Sequence, residues 1–278
     1  MATVPGKIAS GAGVSSDDYL LDNRVVEAGD RIAALSALFD PVTFRHVDAL
    51  GIARGWRCWE VGAGGPSVPR GLGARVGPQG RVLATDIELA WAQAAAGGPI
   101  EVRRHDVAGD APPDELFDLV HARLVLVHLP ERERALRSMI GALRPGGWLL
   151  VEDADPALQP LSVIDPVGAE AALANRLRAG FRTLLGERGV DLAFGRKLPR
   201  LLREAGLGDV VADAYFPVTL PACAPLEIAT VKFLREQLIA KGLATAEEIE
   251  RHLTSVAAGR LDLAQPPMIS AWGRRLPL

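Results

Sequence analysis

The sequence has few cysteines and no long apolar run. Only Cys58 and Cys223 occur among its 278 residues, which excludes a disulfide scaffold and a cysteine-rich zinc site. No stretch approaches the roughly 20 consecutive apolar residues of a membrane span, and the N-terminal segment lacks the apolar core of a signal peptide. We therefore expect a cytoplasmic protein with no membrane partner.

An excess of positive charge is also missing. The chain has 31 lysines and arginines against 34 aspartates and glutamates, which gives a net charge of −3. Proteins that bind nucleic acid generally carry a basic surface, so this balance predicts a small-molecule partner and no nucleic acid. The sequence does not fix an oligomeric state, and a homodimer is compatible with it.

Short apolar segments alternate with helical patterns through the middle of the chain. The predicted strands cover residues 57–61, 81–85, 100–104, 117–121, 148–151, 210–218 and 268–272. Strands that alternate with helices of about 10–15 residues are typical of a parallel sheet with right-handed crossovers. We therefore predict an α/β fold with a doubly wound, mostly parallel, seven-stranded sheet of Rossmann-like type.

Helical patterns flank this sheet in the sequence. We assign residues 1–50 to an N-terminal helical cap and residues 51–278 to a single sheet domain, with helical insertions at about 157–190 and 219–265. Asp40-Pro41 is expected to end the first helix. Apolar periodicity predicts early helices over residues 16–39, 42–50 and 88–96.

The most informative motif is the glycine loop after the first predicted strand, Glu60-Val-Gly62-Ala63-Gly64-Gly65. It is not a phosphate-binding P-loop, because no Gly-Lys-Ser/Thr follows it. Ser67 occupies the position of the third glycine of the dinucleotide fingerprint, which weakens pyrophosphate binding. Asp86 ends the next strand, where a carboxylate can accept both hydroxyls of a ribose. A ligand with a ribose and without phosphates fits this pattern best.

With these features the chain resembles the class I S-adenosylmethionine (SAM)-dependent methyltransferases, and most closely the bacterial small-molecule enzymes of secondary metabolism with an N-terminal cap. The order and spacing of the matching motifs cover residues 57–153 without interruption. The resemblance also implies a last strand antiparallel to the others. The matching segments are Glu60-Val-Gly-Ala-Gly-Gly, Ala84-Thr-Asp-Ile, His105-Asp-Val, Phe117-Asp-Leu-Val-His-Ala-Arg and Leu143-Arg-Pro-Gly-Gly-Trp.

The resemblance implies SAM as cofactor and S-adenosylhomocysteine as product. The loop of Gly62, Ala63 and Gly64 would lie under the methionine part of SAM, and the backbone around Arg123 would meet its methionine end. Glu60 has two readings, as an anchor that accepts the loop N–H groups or as a direct ligand contact.

The nucleoside part of SAM is assigned in the same way. Asp86 would take the ribose hydroxyls and Ile87 would pack on the adenine. Asp106 would accept from the adenine amino group, with Val107 beside it; the alternative readings are a helix N-cap for Asp86 and a surface turn for Asp106.

In capped families of this kind a tyrosine and an arginine of the first helices close over SAM, and Tyr19 and Arg31 fall in matching places. They lie twelve residues apart, which on one straight helix would splay their side chains about 120° apart. We therefore expect the N-terminal segment to break at Gly29-Asp30 and to act as a lid.

Two histidines are candidates for catalysis. His121 ends the fourth predicted strand and His128 begins the following helix, where either could deprotonate an acceptor hydroxyl near neutral pH. The alternative is a structural histidine bonded to the backbone. His46 and His252 are expected on outer helix surfaces.

Three acidic residues follow the fifth predicted strand, namely Glu152, Asp153 and Asp155. Carboxylates in this position could hold Mg²⁺, but no further matching pair of ligands is evident. We expect a solvated loop or a helix N-cap, and no metal.

The sequence therefore predicts methyl transfer to a small, apolar or aromatic acceptor, with oxygen favoured over nitrogen or carbon. One alternative is a protein of the same fold that catalyses a different reaction, such as a ring closure. Another is an NAD-dependent oxidoreductase, which Ser67 and the absence of a Tyr-x-x-x-Lys pair disfavour. Much of the rate of methyl transfer would come from holding the reactants in line.

Overall fold

The computed structural model describes residues 27–277, and a seven-stranded sheet forms the centre of this region. The strand order is β3-β2-β1-β4-β5-β7-β6, with β7 antiparallel to both neighbours and the other pairs parallel. This confirms the predicted doubly wound sheet and its antiparallel last strand. The strands are β1 (Arg57–Val61), β2 (Arg81–Asp86), β3 (Ile100–Arg104), β4 (Phe117–Arg123), β5 (Leu143–Ala154), β6 (Leu207–Tyr215) and β7 (Met268–Arg275).

Helices cover both faces of the sheet and form a further layer late in the chain. None of the helices within residues 27–277 is long and apolar enough to cross a bilayer. The helices are α1 (Glu27–Ala49), α2 (Ser67–Val76), α3 (Arg132–Gly141), α4 (Gly168–Glu187), α5 (Leu198–Glu204), α6 (Cys223–Ala240) and α7 (Ala246–Ala257).

The central strands are buried on both faces, as their continuous apolar sequences require in a parallel sheet. On β1, the side chain of Trp59 lies in the core between the sheet and α3. Cys58 points the other way, into the cluster between the sheet, α1 and α2. Successive strand residues therefore supply two separate cores.

The predicted end of the first helix at Asp40-Pro41 is wrong, because α1 continues through Pro41 to Ala49. Proline removes one backbone donor, but side chains on both sides of it fasten the helix to the sheet. Asp40 accepts a hydrogen bond of 2.8 Å from Arg123, and Val47 is fully buried. Tertiary packing outweighs the local preference for a break.

The break expected at Gly29-Asp30 is also absent, because both residues lie inside α1. Gly29 serves close packing instead, since a Cβ there would lie 2.5 Å from the Trp91 ring. The part of the predicted lid before residue 27, including Tyr19, lies outside the described residues.

Two further element boundaries differ from the predicted ones for local reasons. The helix predicted over 88–96 shortens to a 3₁₀ turn at Ala92–Ala95, which Gly97 and Gly98 follow with left-handed backbones at φ 133° and 56°. Strand β5 begins at Leu143, earlier than predicted, because a register shift against β4 accommodates its glycines.

Close packing of α1 on α2 can be tested at Gly71. A Cβ at this position would lie 2.0 Å from Cζ of Phe44 on α1, so Gly71→Ala should force the helices apart. We expect a loss of about 1–3 kcal/mol in the free energy of unfolding, measured by urea denaturation. Gly186→Ala on α4 is the matched control, since nothing lies within 4 Å of its Cβ position. It should gain up to about 1 kcal/mol, and equal losses in both variants would contradict the packing argument.

Candidate functional site

A left-handed loop at the carboxyl end of β1 forms the floor of the candidate site. Gly62 and Gly64 have φ angles of 63° and 60°, a conformation that favours glycine. A Cβ at Gly62 would lie 2.3 Å from a methyl group of Val125. Glycine therefore lets the segment after β4 close against the loop.

Asp86, at the end of β2, holds this loop from the side. Its carboxylate accepts the N–H of Gly64 at 2.8 Å and that of Glu88 at 3.0 Å. Burial raises the pKa of Asp86, and these backbone donors oppose the rise. A carboxylate has about four acceptor positions, so a ribose diol can still bind. Ile87, the next residue, is 45% exposed.

Asp106 lies beside Asp86, because the N–H of His105 donates to the backbone oxygen of Asp86 at 3.0 Å. Its carboxylate accepts the N–H of Ala108 at 2.9 Å, an arrangement that organises its own turn. The side chain of Val107 is only 6% exposed and packs in the core. Val107 could therefore contact a ligand through its backbone and not through its side chain.

The first half of α1 lies over the glycine loop. A Cβ at Gly65 would lie 2.5 Å from Ile32, and the hydroxyls of Ser36 and Ser67 are 2.8 Å apart. Arg31 is in this half of the helix. Burial, and then the charge of Arg31, lower the pKa of His128 to about 3, so His128 is neutral at physiological pH.

His121 is clamped between two carboxylates beneath the loop. Its Nδ1 lies 2.5 Å from Glu60 and its Nε2 lies 3.3 Å from Glu152, with all three side chains buried. Burial lowers the pKa of His121. The charge of Glu60 and the hydrogen bonds to both glutamates outweigh this effect and raise the pKa to about 9. His121 is therefore an imidazolium at neutral pH, which favours a structural role over the base role, with two carboxylates rather than the backbone as its partners. Glu60 contacts His121, and among the described residues its carboxylate accepts no hydrogen bond from the loop N–H groups.

Further hydrogen bonds attach Glu152 to α1. Its carboxylate accepts from Thr43 and lies 3.1 Å from Nδ1 of His46, while Ser270 on β7 donates to it at 2.7 Å. Hydrogen bonds from His121 and His46 lower the pKa of Glu152 despite its burial. The expected surface position of His46 is wrong, because it is 4% exposed.

This connection between α1 and Glu152 was not predicted from the sequence. One signal was available, because Asp40, Thr43 and His46 recur every three residues on α1 and so share one polar face. Arg123 donates to both Asp40 and Thr43, at 2.8 and 2.9 Å. The side chain of Arg123 therefore binds α1, while its backbone remains at the end of β4.

His252 is likewise buried, which corrects its expected surface position. It lies 3.0 Å from Glu227, and Arg178 donates to the same carboxylate at 2.8 Å. This second polar cluster joins α4, α6 and α7 and is separate from the glycine loop.

The three acidic residues at the carboxyl end of β5 face different partners. Glu152 binds His121, and Asp155 accepts two hydrogen bonds, at 2.7 and 2.6 Å, from the Arg196 guanidinium. Asp153 is fully buried, and its oxygens have no hydrogen-bond partner among the residues described. The three acidic residues therefore do not form the expected solvated loop. Within residues 27–277, no group of three or more potential ligands is placed to hold a metal.

The clamp predicts how stability depends on pH. Because the pKa of folded His121 is about 9, above its ordinary 6.5, its contribution is complete below pH 6.5 and is lost as the pH rises to about 9. We expect the Tm to fall by roughly 5–10 °C over that interval, measured by differential scanning calorimetry. A His121→Asn variant should start lower and fall less, and an equal fall in both proteins would contradict the assignment.

Comparison with known families agrees with this geometry. Residues 59–151 match the family model described as a methyltransferase domain. The ubiquinone/menaquinone biosynthesis C-methyltransferases UbiE of Yersinia pestis and Yersinia pseudotuberculosis are 33% identical over 128 residues, which is 42% of this chain and 50% of theirs. The chain thus spans about half the length of these curated relatives.

Solved structures show the same fold. Phosphoethanolamine N-methyltransferase 2 of Haemonchus contortus superposes with a TM-score of 0.56 at 16% identity, covering 96% of this chain and 61% of that one. The YcgJ protein of Bacillus subtilis gives a TM-score of 0.54 at 13% identity, covering 84% and 98%. The glycine loop, the sheet order and the matched residues lead to one conclusion: residues 59–151 of this chain are a methyltransferase domain of the class I, SAM-dependent type.

Proposed function

We propose that the protein transfers the methyl group of SAM to a small, apolar or aromatic acceptor. The observation that carries this proposal is the closure of the glycine loop by Asp86, at 2.8 Å from the N–H of Gly64, beside the exposed Ile87. A ribose can bind the carboxylate while an adenine covers the isoleucine. SAM, when bound, supplies the electrophilic methyl group.

The remaining cofactor contacts follow from the same placement. We assign the methionine part to the loop of Gly62, Ala63 and Gly64, where the missing side chains allow close approach. Arg31 belongs to the half of α1 that covers this loop, and Asp106 lies beside Asp86, where we place the adenine. Glu60 is better assigned to holding His121 than to the ligand.

The methylated atom is better proposed as carbon than as oxygen. A hydroxyl acceptor benefits from a base with a pKa near neutrality. Neither histidine supplies one, because His121 is protonated and the pKa of His128 is about 3. An electron-rich aromatic carbon depends less on such a base, and the curated Yersinia relatives are named C-methyltransferases.

Product analysis tests both parts of this proposal. The protein would be incubated with SAM carrying a ¹³C-methyl group and a panel of phenols, quinols and amines. The carbon chemical shift of the transferred group separates C-methyl, O-methyl and N-methyl products. We expect C-methylation of an electron-rich ring. Conversion of an acceptor without incorporation of label would favour the alternative chemistry, such as ring closure.

Binding of the nucleoside is tested at Asp86. Asp86→Ala should raise the Kd for S-adenosylhomocysteine by about 10- to 150-fold, the range expected for lost hydrogen bonds to a charged group. Isothermal titration calorimetry measures this without knowledge of the acceptor.

Asp114→Ala is the control for this experiment. Asp114 is exposed and precedes β4, at the opposite edge of the sheet, so its loss should leave the Kd unchanged. Unaltered binding by Asp86→Ala would show that the ribose assignment is wrong.

A further inference from the structure

The hydroxyl of Thr43 occupies a buried position between two charged side chains. Thr43 is 1% exposed, and its Oγ1 donates to Glu152 while it accepts from Arg123 at 2.9 Å. A hydroxyl has one hydrogen to donate, so these two contacts fix its orientation. It is the point at which α1 meets both β4 and β5.

The strand residues joined at Thr43 lie directly below the candidate site. Arg123 is followed by Leu124 and Val125, and Val125 is the residue that approaches Gly62. The N–H of Leu124 donates to the backbone oxygen of Glu152 at 2.8 Å. Movement of β4 or β5 relative to α1 would therefore shift the wall of the glycine loop.

Leu124 shows that this wall is held under constraint. Its φ is 58°, a left-handed conformation that is uncommon for a residue with a branched side chain. Such a conformation persists only where the surroundings enforce it. The surroundings include α1, because Leu124 packs against the cluster that contains Leu38 and Phe39.

The other half of α1 covers the loop itself, through Ile32 on Gly65 and Ser36 on Ser67. Thr43 lies two helical turns beyond Ser36. The helix therefore transmits its position at Thr43 to the residues that cover the site.

We propose that Thr43 is a positioning residue for the cofactor. Its hydroxyl bridges Glu152 and Arg123 and thereby sets the position of α1 over the glycine loop. That position in turn sets the affinity for SAM. This inference rests on the function proposed above. Thr43 itself contacts strands and not the glycine loop, so it acts through α1 and Val125.

Thr43→Val removes the hydroxyl and keeps the shape. Arg123 then loses one acceptor and Glu152 one donor, while the contacts of Asp40 with Arg123 and of His46 with Glu152 remain. The helix should therefore stay folded but less well placed. We expect the Kd for S-adenosylhomocysteine to rise about 10-fold, equivalent to about 1.4 kcal/mol, in isothermal titration calorimetry at 20 °C or below.

Two further variants isolate the hydroxyl. Thr43→Ser keeps it and should bind within about 3-fold of the wild type, since only a methyl group is lost. Thr183→Val is the matched control, because Thr183 is exposed on α4 and its hydroxyl donates to the backbone oxygen of Ala179. It should bind as the wild type does.

The outcomes are distinguishable. Wild-type affinity in Thr43→Val together with a lowered Tm would show a purely structural role and overturn the inference, as would equal weakening in Thr43→Ser. If Thr43→Val does not fold, Asp40→Asn decides, because it weakens the same attachment at a partly exposed position; unchanged affinity there overturns the inference. Absence of binding by the wild type would instead overturn the proposed function.

Discussion

The imidazolium of His121 between Glu60 and Glu152 is the interaction on which the carboxyl edge of the sheet depends. Three ionisable side chains at the centre of a parallel sheet are costly to bury, and removing one partner leaves an uncompensated charge. Here the positive ring joins β1, β4 and β5 across the sheet face. Glu152 in turn accepts hydrogen bonds from Thr43 on α1 and Ser270 on β7 and contacts His46, so that its buried oxygens have partners.

This arrangement explains why the glycine loop has a defined shape. Glu60 precedes Gly62 by two residues, and the backbone of Glu152 binds Leu124. The clamp thus fixes the end of β1, from which the glycine loop starts, and the end of β4, from which the segment that packs on the loop starts. Asp86 then closes the loop from β2 without help from the clamp. The residues assigned to the cofactor and the buried charged residues are therefore neighbours with different roles.

Much of the fold was predictable because its signals are local. Alternating strands and helices, the glycine loop and the acid at the end of β2 each occupy a short stretch of sequence. The burial of His46 was not predictable in this way, because its partner Glu152 lies 106 residues further along the chain. The continuity of α1 through Pro41 depends on the same distant partners. Local patterns define elements, whereas the pairing of buried charges depends on how the elements pack.

A crystal structure of the complex with S-adenosylhomocysteine tests the central claim most directly. The account predicts ribose hydroxyls within hydrogen-bond distance of Asp86, adenine against Ile87 and the amino acid part along Gly62 to Gly64, with His121 still between its two glutamates. A nucleoside bound away from Asp86, or a His121 turned out of the clamp towards the ligand, would contradict it.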